Sequence, residues 1–148
     1  VLIGKNGSMV PKEKALEFVS GLGVGIDFTR RDIQRKLRDK NQPWELSKAF
    51  EQSAPVGPFI SREKISSSSL PLELDISLSV NGKIKQQANT RDMIFSVSEI
   101  ISDLSTFFTL LPGDLVFTGT PQGVGPVFPG DVLEARIDEL PCLSVAIQ

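Results

Sequence analysis

The segment Asp27–Gln34 carries a carboxylate, an arginine and an amide close together in the sequence. Asp27 lies at the end of an apolar alternation that predicts a strand, and Arg31 and Gln34 lie three positions apart in a predicted helix, where they share one face. A carboxylate suits a hard cation, and a guanidinium can bind a carboxylate through two parallel hydrogen bonds. The segment therefore predicts a cation ligand, Asp27, beside an anion-binding face. The alternative is that Asp27 and Asp32 cap the helix while the arginines face solvent.

Two further segments could contact an anion. Lys48 lies among apolar neighbours, so its ammonium is expected to be partly desolvated and available to a substrate carboxylate. The alternative is a surface lysine of which only the aliphatic stem is buried. The glycines of Gly119–Gly125 allow backbone amides to approach an anion, although an ordinary long turn has the same composition. No Gly-Lys-Ser/Thr follows this segment, so it is not a P-loop.

Histidine is absent from the 148 residues. Its absence removes the commonest general base and the commonest ligand for zinc, copper and nickel. A metal held by this chain must therefore bind to oxygen, which favours Mg²⁺, Mn²⁺ or Ca²⁺. A Ser-His-Asp or Cys-His catalytic group within the chain is excluded.

Composition and charge indicate an ordinary globular domain. The 16 Lys and Arg against 18 Asp and Glu leave a net charge of -2, which provides no overall field for nucleic acid or an anionic membrane surface. No uncharged run reaches the length of a transmembrane helix. The single cysteine, Cys142, cannot form an intrachain disulfide and fits a reducing compartment. We therefore expect a cytoplasmic protein without nucleic-acid or membrane partners.

Strands outnumber helices in the predicted element order. Helices are expected at 11–20, at about 30–40 with Thr29 and Asp32 as a capping box, and after the capping box Ser96-x-x-Glu99. Strands are expected at 24–28, at 72–80 before the hairpin turn Asn81-Gly82, at 115–118, and near 132–137 and 142–148. Because the helices are short and irregularly placed, we predict an α+β fold, mainly β, built as a mixed β-sandwich or roll with short surface helices.

The chain opens on the apolar run Val1-Leu2-Ile3-Gly4. It has no initiator methionine, no targeting segment and no polar lead-in, so we expect it to begin within a strand. A fragment whose upstream part is missing explains this better than an apolar mature terminus.

These segments together resemble the fumarylacetoacetate hydrolase superfamily, in particular its small members that act on acylpyruvates, oxaloacetate or hydroxymuconate-type diacids. The resemblance spans almost the whole chain as an ordered series of motifs. The motifs are Gly25-Ile26-Asp27-Phe28-Thr29-Arg30-Arg31-Asp32, Gln42-Pro43-Trp44, Ser47-Lys48-Ala49-Phe50, Val80-Asn81-Gly82, Asn89-Thr90, Asp92-Met93-Ile94-Phe95, and Pro112-Gly113-Asp114 leading to Thr118-Gly119-Thr120-Pro121-Gln122-Gly123-Val124-Gly125.

The resemblance implies a mixed β-sandwich roll, usually dimeric, that holds Mg²⁺ or Mn²⁺ on three carboxylates. Asp27 matches the third carboxylate, while the Glu-x-Glu pair that supplies the other two would lie just before Val1. The lid, with the His-Glu pair that activates water, would lie further upstream. We therefore expect residues 1–148 to be a single catalytic domain of this type without its N-terminal strand and lid.

The resemblance also implies which residues bind the substrate. Arg31, Gln34, Lys48 and Thr120 match substrate-contacting positions, and Lys48 is also expected to act in catalysis. The implied reaction is metal-dependent cleavage of a C–C bond in a small 2-oxo acid or diacid, as in acylpyruvate and fumarylpyruvate hydrolases. Oxaloacetate decarboxylation or tautomerisation and hydroxymuconate-type isomerisation stay open as alternatives. A non-catalytic binding or structural domain is an alternative of a different class, because one carboxylate cannot hold Mg²⁺ firmly.

Overall fold

The computed structural model describes residues 1–65 and 73–148, which form two antiparallel sheets with two α-helices. The strands are β1 (Leu2–Ile3), β2 (Val19–Leu22), β3 (Ile60–Ser61), β4 (Asp75–Val80), β5 (Lys83–Asn89), β6 (Val132–Ile137) and β7 (Leu143–Ala146). The helices are α1 (Arg31–Asp39) and α2 (Val97–Phe107), and short 3₁₀ helices span Lys12–Phe18, Glu45–Ser47, Arg62–Lys64 and Thr90–Asp92. This architecture confirms the mainly β, α+β prediction.

The first sheet has the strand order β1-β2-β3 and the second has the order β5-β4-β6-β7. The hairpin predicted at Asn81-Gly82 joins β4 to β5, and both turn residues have positive φ, at 50° and 74°. Such angles are typical of a two-residue hairpin turn, which explains why this pair of residues favours it. β6 has the bounds predicted for the strand at 132–137. The strand predicted at 72–80 is observed as β4, and Leu72, its predicted first residue, lies outside the described residues.

One hydrophobic core joins the two sheets and α2. Ile3 and Val19 from the first sheet, Ile101 from α2 and Ala135 from β6 belong to the same buried cluster. The capping box predicted at the start of α2 is confirmed: the side chain of Ser96 accepts from the Glu99 amide, and the Glu99 carboxylate accepts from the Ser96 amide at 2.7 Å. Two orphan amides are thereby satisfied, so α2 begins at a defined residue.

The helix predicted at 11–20 is wrong in type and in length. The segment forms a 3₁₀ helix that ends at Phe18, and Val19 then takes extended geometry with φ −83° and ψ 121°. Val19 is buried and pairs with Ile3 in the first sheet. Tertiary pairing of a β-branched residue therefore overrides the helical pattern here.

The strand predicted at 115–118 is also wrong. Leu115 makes only an isolated bridge to Leu2, which is extended by hydrogen bonds in both directions between Val1 and Val116.

No helix in the described ranges is long and apolar enough to cross a bilayer.

Candidate active site

Asp27 lies on an extended segment that continues the line of β2. Hydrogen bonds join the Gly57 amide to the Val24 carbonyl at 2.8 Å and the Ile26 amide to the Pro55 carbonyl at 3.0 Å. The strand predicted at 24–28 is nevertheless wrong as a regular strand, because its only bridge pairs Gly25 with Val56. Pro55 has no amide hydrogen to return, so the ladder cannot be continuous. Backbone pairing still fixes the direction of the segment that carries Asp27.

Lys48 reaches Asp27 across 21 positions of sequence. Its Nζ donates to Oδ2 of Asp27 at 2.5 Å, and the two side chains are 32% and 45% exposed. Lys48 is thus partly shielded from water, although its apolar neighbours Trp44 and Leu46 are exposed. The pair is open enough to solvent that we assign it little value for stability, since exposed ion pairs contribute about 0–1 kcal/mol.

The segment around Lys48 is held against the start of α1 by two contacts of Arg30. The Arg30 amide donates to the carbonyl of Ser47 at 3.0 Å, and its guanidinium carbon lies 4.3 Å from the centre of the Phe50 ring. Ser47 is fully buried, which anchors the short 3₁₀ helix Glu45–Ser47 just before Lys48. These contacts bring Lys48 to Asp27 and tie it to the helix that carries Arg31.

The helix predicted at about 30–40 is confirmed as α1, without buried residues. The capping box at Thr29 and Asp32 is wrong, because the N-cap residue is Arg30 and no side chain caps it. The helix starts one residue later than predicted since its first turn is closed by the Gln34 amide, which donates to the Arg30 carbonyl at 2.9 Å. The alternative role of Asp27 and Asp32 as caps of α1 therefore fails.

Arg31 and Gln34 meet on one face of α1, as their spacing predicted. Nη1 of Arg31 donates to Oε1 of Gln34 at 2.9 Å. This bond engages the amide oxygen of Gln34, which leaves its NH₂ group available as a donor. The two residues line an open depression of about 210 Å³ together with Arg35 and Arg38. The walls of this depression are rich in positive charge and can receive an anion.

Thr120 belongs to the glycine-rich loop, which docks on β5. Nε2 of Gln86 donates to Oγ1 of Thr120 at 2.9 Å and to the carbonyl of Pro121 at 2.7 Å. Gly123 has a φ of +101°, and a Cβ there would overlap with the carbonyl oxygen of Lys85. The glycine is therefore required for close backbone approach to β5.

The structure brings the predicted site residues together in three groups. Lys48 joins Asp27, and Arg31 joins Gln34, while Thr120 is bound by Gln86 within the part of the chain that the structure describes. The loop approaches the Asp27 segment through Phe117, whose ring lies so close to Gly25 that a Cβ there would be 2.6 Å from it.

The described residues supply only part of the ligands that a metal ion needs. Asp27 offers the carboxylate oxygens that a hard cation prefers. However, residues 1–65 and 73–148 contain no group of three acidic, histidine or cysteine side chains that could surround an ion. The described residues therefore do not form a complete site for Mg²⁺ or Mn²⁺, and Asp27 fits one ligand position of such a site.

Comparisons with known proteins show the family of the chain. A sequence model described as fumarylacetoacetate (FAA) hydrolase C-terminal matches residues 1–148. The chain belongs to the fumarylacetoacetate hydrolase family. It is 44% identical over 138 residues to the mitochondrial oxaloacetate tautomerase FAHD1 of Mus musculus, covering 93% of this chain and 61% of the relative. It is 40% identical over 145 residues to a fumarylpyruvate hydrolase of Ralstonia sp, covering 98% of this chain and 73% of the relative.

Solved structures of the fumarylacetoacetate hydrolase family share the fold. The chain superposes on fumarylpyruvate hydrolase from Pseudomonas aeruginosa, in complex with Mn²⁺ and pyruvate, with a TM-score of 0.93 and 46% identity. That match covers 99% of this chain and 61% of the other. The chain thus spans about three fifths of the length of this hydrolase and of the mouse tautomerase.

Two contacts around the candidate site residues were missed in the sequence. Gln86 is 8% exposed, whereas its neighbours Lys85 and Gln87 are exposed. A polar residue at an inward-facing position of a strand was the available signal, because buried amides need specific partners. The contact of Arg30 with Phe50 left no such signal, since it joins residues 20 positions apart without a periodic pattern.

Proposed function

We propose that this chain carries the substrate-binding part of a divalent-metal-dependent enzyme that cleaves a C–C bond in a small 2-oxo acid or diacid, as an acylpyruvate or fumarylpyruvate hydrolase does. The observation that carries the proposal is the Lys48–Asp27 pair, held at the start of α1 by Arg30. It unites a cation ligand and an anion-binding ammonium in a chain 46% identical to a fumarylpyruvate hydrolase that binds Mn²⁺ and pyruvate.

Asp27 is proposed as one ligand of Mg²⁺ or Mn²⁺, and the remaining ligands as residues outside this sequence. Strand register supports this division. β1 pairs with β2 through Ile3–Val19 and Leu2–Gly21, and on its other side through Leu2–Leu115. A strand continued in this register before Val1 would run between residues 24–27 and residues 118–121. Carboxylates two positions apart on that strand would share one face, beside Asp27.

The chain's own residues then bind and orient the substrate. Arg31 and Lys48 neutralise the carboxylates of the diacid, and the free NH₂ of Gln34 donates to a keto or carboxylate oxygen. Thr120 contacts the substrate from the opposite segment. The bound cation would supply positive charge beside the keto oxygen, on which negative charge develops as the C–C bond breaks. We propose that Lys48, through the same charge, contributes to catalysis.

A second candidate function is oxaloacetate tautomerisation or decarboxylation. It is favoured by the 44% identity with the mouse oxaloacetate tautomerase, of which this chain spans 61%. A hydroxymuconate-type isomerase has weaker support, in the 31% identity with the solved 5-carboxymethyl-2-hydroxymuconate delta-isomerase from Mycobacterium smegmatis. In all these reactions negative charge develops on the keto oxygen of a 2-oxo acid. The same four residues, Arg31, Gln34, Lys48 and Thr120, can therefore bind the substrate in each of them.

The decisive experiment compares the 148-residue chain with a form extended by its natural upstream sequence. Titration calorimetry with Mn²⁺ should show weak binding by the short form and tight binding by the extended form. Incubation of the extended form with fumarylpyruvate and, separately, with oxaloacetate, followed by NMR, identifies the products. Pyruvate and fumarate indicate hydrolysis, pyruvate and CO₂ from oxaloacetate indicate decarboxylation, and an accelerated keto–enol exchange indicates tautomerisation.

Two outcomes would contradict the proposal. Tight Mn²⁺ binding by the short form would show that the remaining ligands lie within residues 1–148. An extended form that binds Mn²⁺ and turns over neither compound would favour a non-catalytic binding domain.

We propose in addition that the protein is a homodimer and acts in the cytoplasm. Phe107 and Phe108, at the end of α2, are 75% and 65% exposed, and large adjacent aromatic side chains in solvent favour a covering surface. The single cysteine supports a reducing compartment. Sedimentation analysis of the extended form tests the dimer.

A further inference from the structure

Gln86 makes hydrogen bonds that determine the orientation of its amide. The Pro121 carbonyl can only accept, so the group of Gln86 that lies 2.7 Å from it must be the NH₂. The same NH₂ lies 2.9 Å from Oγ1 of Thr120, and its second hydrogen points there. Gln86 is therefore the donor and Thr120 the acceptor in this hydrogen bond.

The bond from Gln86 orients the Thr120 hydroxyl. Its oxygen accepts from Gln86, so its own hydrogen must point away from the Gln86 amide. Thr120 is exposed, whereas Gln86 beneath it is buried. An exposed hydroxyl whose acceptor side is occupied from below presents a donor to whatever lies above it. Such a donor favours an anionic oxygen.

The loop cannot easily relax out of this arrangement. Gly123 lies against the Lys85 carbonyl and the side chain of Gln86, with a backbone conformation that only glycine adopts readily. The loop is thus docked on β5 at two points, around Thr120 and at Gly123. Gln86 takes part in both, through its amide at Thr120 and through its Cγ at Gly123.

We propose that Gln86 is a positioning residue that fixes the Thr120 hydroxyl as a hydrogen-bond donor to a carboxylate oxygen of the 2-oxo acid. The inference rests on the proposed function, because it needs an anionic substrate beside Thr120. Gln86 does not touch the substrate itself. A carboxylate in its place would accept instead of donate, and it would draw the Thr120 hydrogen toward itself.

The test measures pyruvate binding to the Mn²⁺-loaded extended form by calorimetry. Gln86→Glu should weaken pyruvate binding about 10-fold or more, the usual range for a lost bond to a charged group. Gln86→Met, which fills the same space without donors, should weaken it less. Gln87→Glu is the matched control, with the same charge change at the adjacent exposed position, and should change binding less than about 2-fold. Thr120→Ser should retain binding.

A double-mutant cycle separates positioning from general structural damage. In the Thr120→Val background, Gln86→Glu should add less than about 2-fold, because the hydroxyl it acts through is gone. An undiminished effect in that background would overturn the inference, as would normal pyruvate binding by Gln86→Glu. If the unaltered protein binds Mn²⁺ but no pyruvate, the proposed function fails, and the positioning role fails with it.

An NMR measurement that leaves Gln86 in place covers the case in which both Gln86 variants unfold. The side-chain amide hydrogens of Gln86 should exchange slowly in NMR spectra, and Thr120→Val should speed the exchange of one of them. Fast exchange of both hydrogens in the unaltered protein would overturn the inference.

Discussion

Lys48 Nζ lies 2.5 Å from Oδ2 of Asp27, although the two residues are 21 positions apart and belong to different segments. An ammonium and a divalent cation are attracted to the same carboxylate, so this pair links the metal-binding and substrate-binding roles proposed for the site. Because both side chains are partly exposed, the pair contributes little to stability.

Asp27→Asn should abolish tight Mn²⁺ binding by the extended form while changing the free energy of unfolding by less than about 1 kcal/mol. The amide keeps the shape of the carboxylate but loses the charge that a divalent cation needs. Calorimetric titration and urea unfolding measure the two effects. Asp32→Asn, an exposed acid at the start of α1, serves as the control and should bind Mn²⁺ normally. Unchanged Mn²⁺ affinity in Asp27→Asn would show that the ligand assignment is wrong.

Lys48→Met should affect Mn²⁺ binding and substrate binding differently. Mn²⁺ affinity should be kept or increased, because a competing positive charge next to Asp27 is removed. The KM for a 2-oxo diacid should rise about 10-fold or more, since an ammonium-to-carboxylate hydrogen bond is lost. Steady-state kinetics and Mn²⁺ titration of the same variant provide the comparison, with Lys40→Met on the exposed end of α1 as the control. Loss of both affinities together would indicate a structural role for Lys48.

Gly123→Ala should destabilise the loop that carries Thr120. The new Cβ would meet the Lys85 carbonyl at a φ of +101°, and such strain costs about 1–3 kcal/mol. Thermal unfolding and pyruvate affinity should both show the change. Gly125→Ala, two positions along the same loop, has open space around its Cβ and should be close to neutral. Equal effects of the two substitutions would show that the close approach at Gly123 is unimportant.

The free energy of unfolding should decrease at acid pH because Glu99 becomes protonated. Its hydrogen bonds with Lys12 and with Ser96 lower the pKa of the Glu99 carboxyl from 4.5 to about 2. Because the folded-state pKa is depressed, the stabilisation is present above about pH 4.5 and is lost as the pH falls toward 2. A carbon-detected NMR titration should give the low pKa.

Substitution of Lys12 tests the cause of this shift. Lys12→Met removes its largest contribution and should raise the pKa of Glu99 toward its ordinary value. Glu99→Gln should remove the corresponding acid dependence of unfolding, whereas Glu17→Gln, on the neighbouring 3₁₀ helix, should leave it in place. A Glu99 pKa near 4.5 in the unaltered protein would rule out the mechanism.

The fold class and the local signals could be predicted from the sequence because they depend on residues close together in the chain. The Asn81-Gly82 turn requires positive φ at both positions, and the Ser96–Glu99 box satisfies amides within one helical turn. The spacing of Arg31 and Gln34 places them on one face of a helix, where they form a hydrogen bond. Family motifs identified Asp27, Lys48 and Thr120 as candidates, whose roles stay predictions.

Only the tertiary structure decided how these residues are joined. Val19 became a strand residue because Ile3 pairs with it, against its local helical pattern. Lys48 reaches Asp27, and Gln86 reaches Thr120 across 34 positions, because packing of distant segments brings together polar atoms that then satisfy one another. The sequence by itself determined the local turns and caps and the chemical types available. The partners were decided by long-range packing, since no local spacing specifies which distant donor a buried or half-buried acceptor will meet.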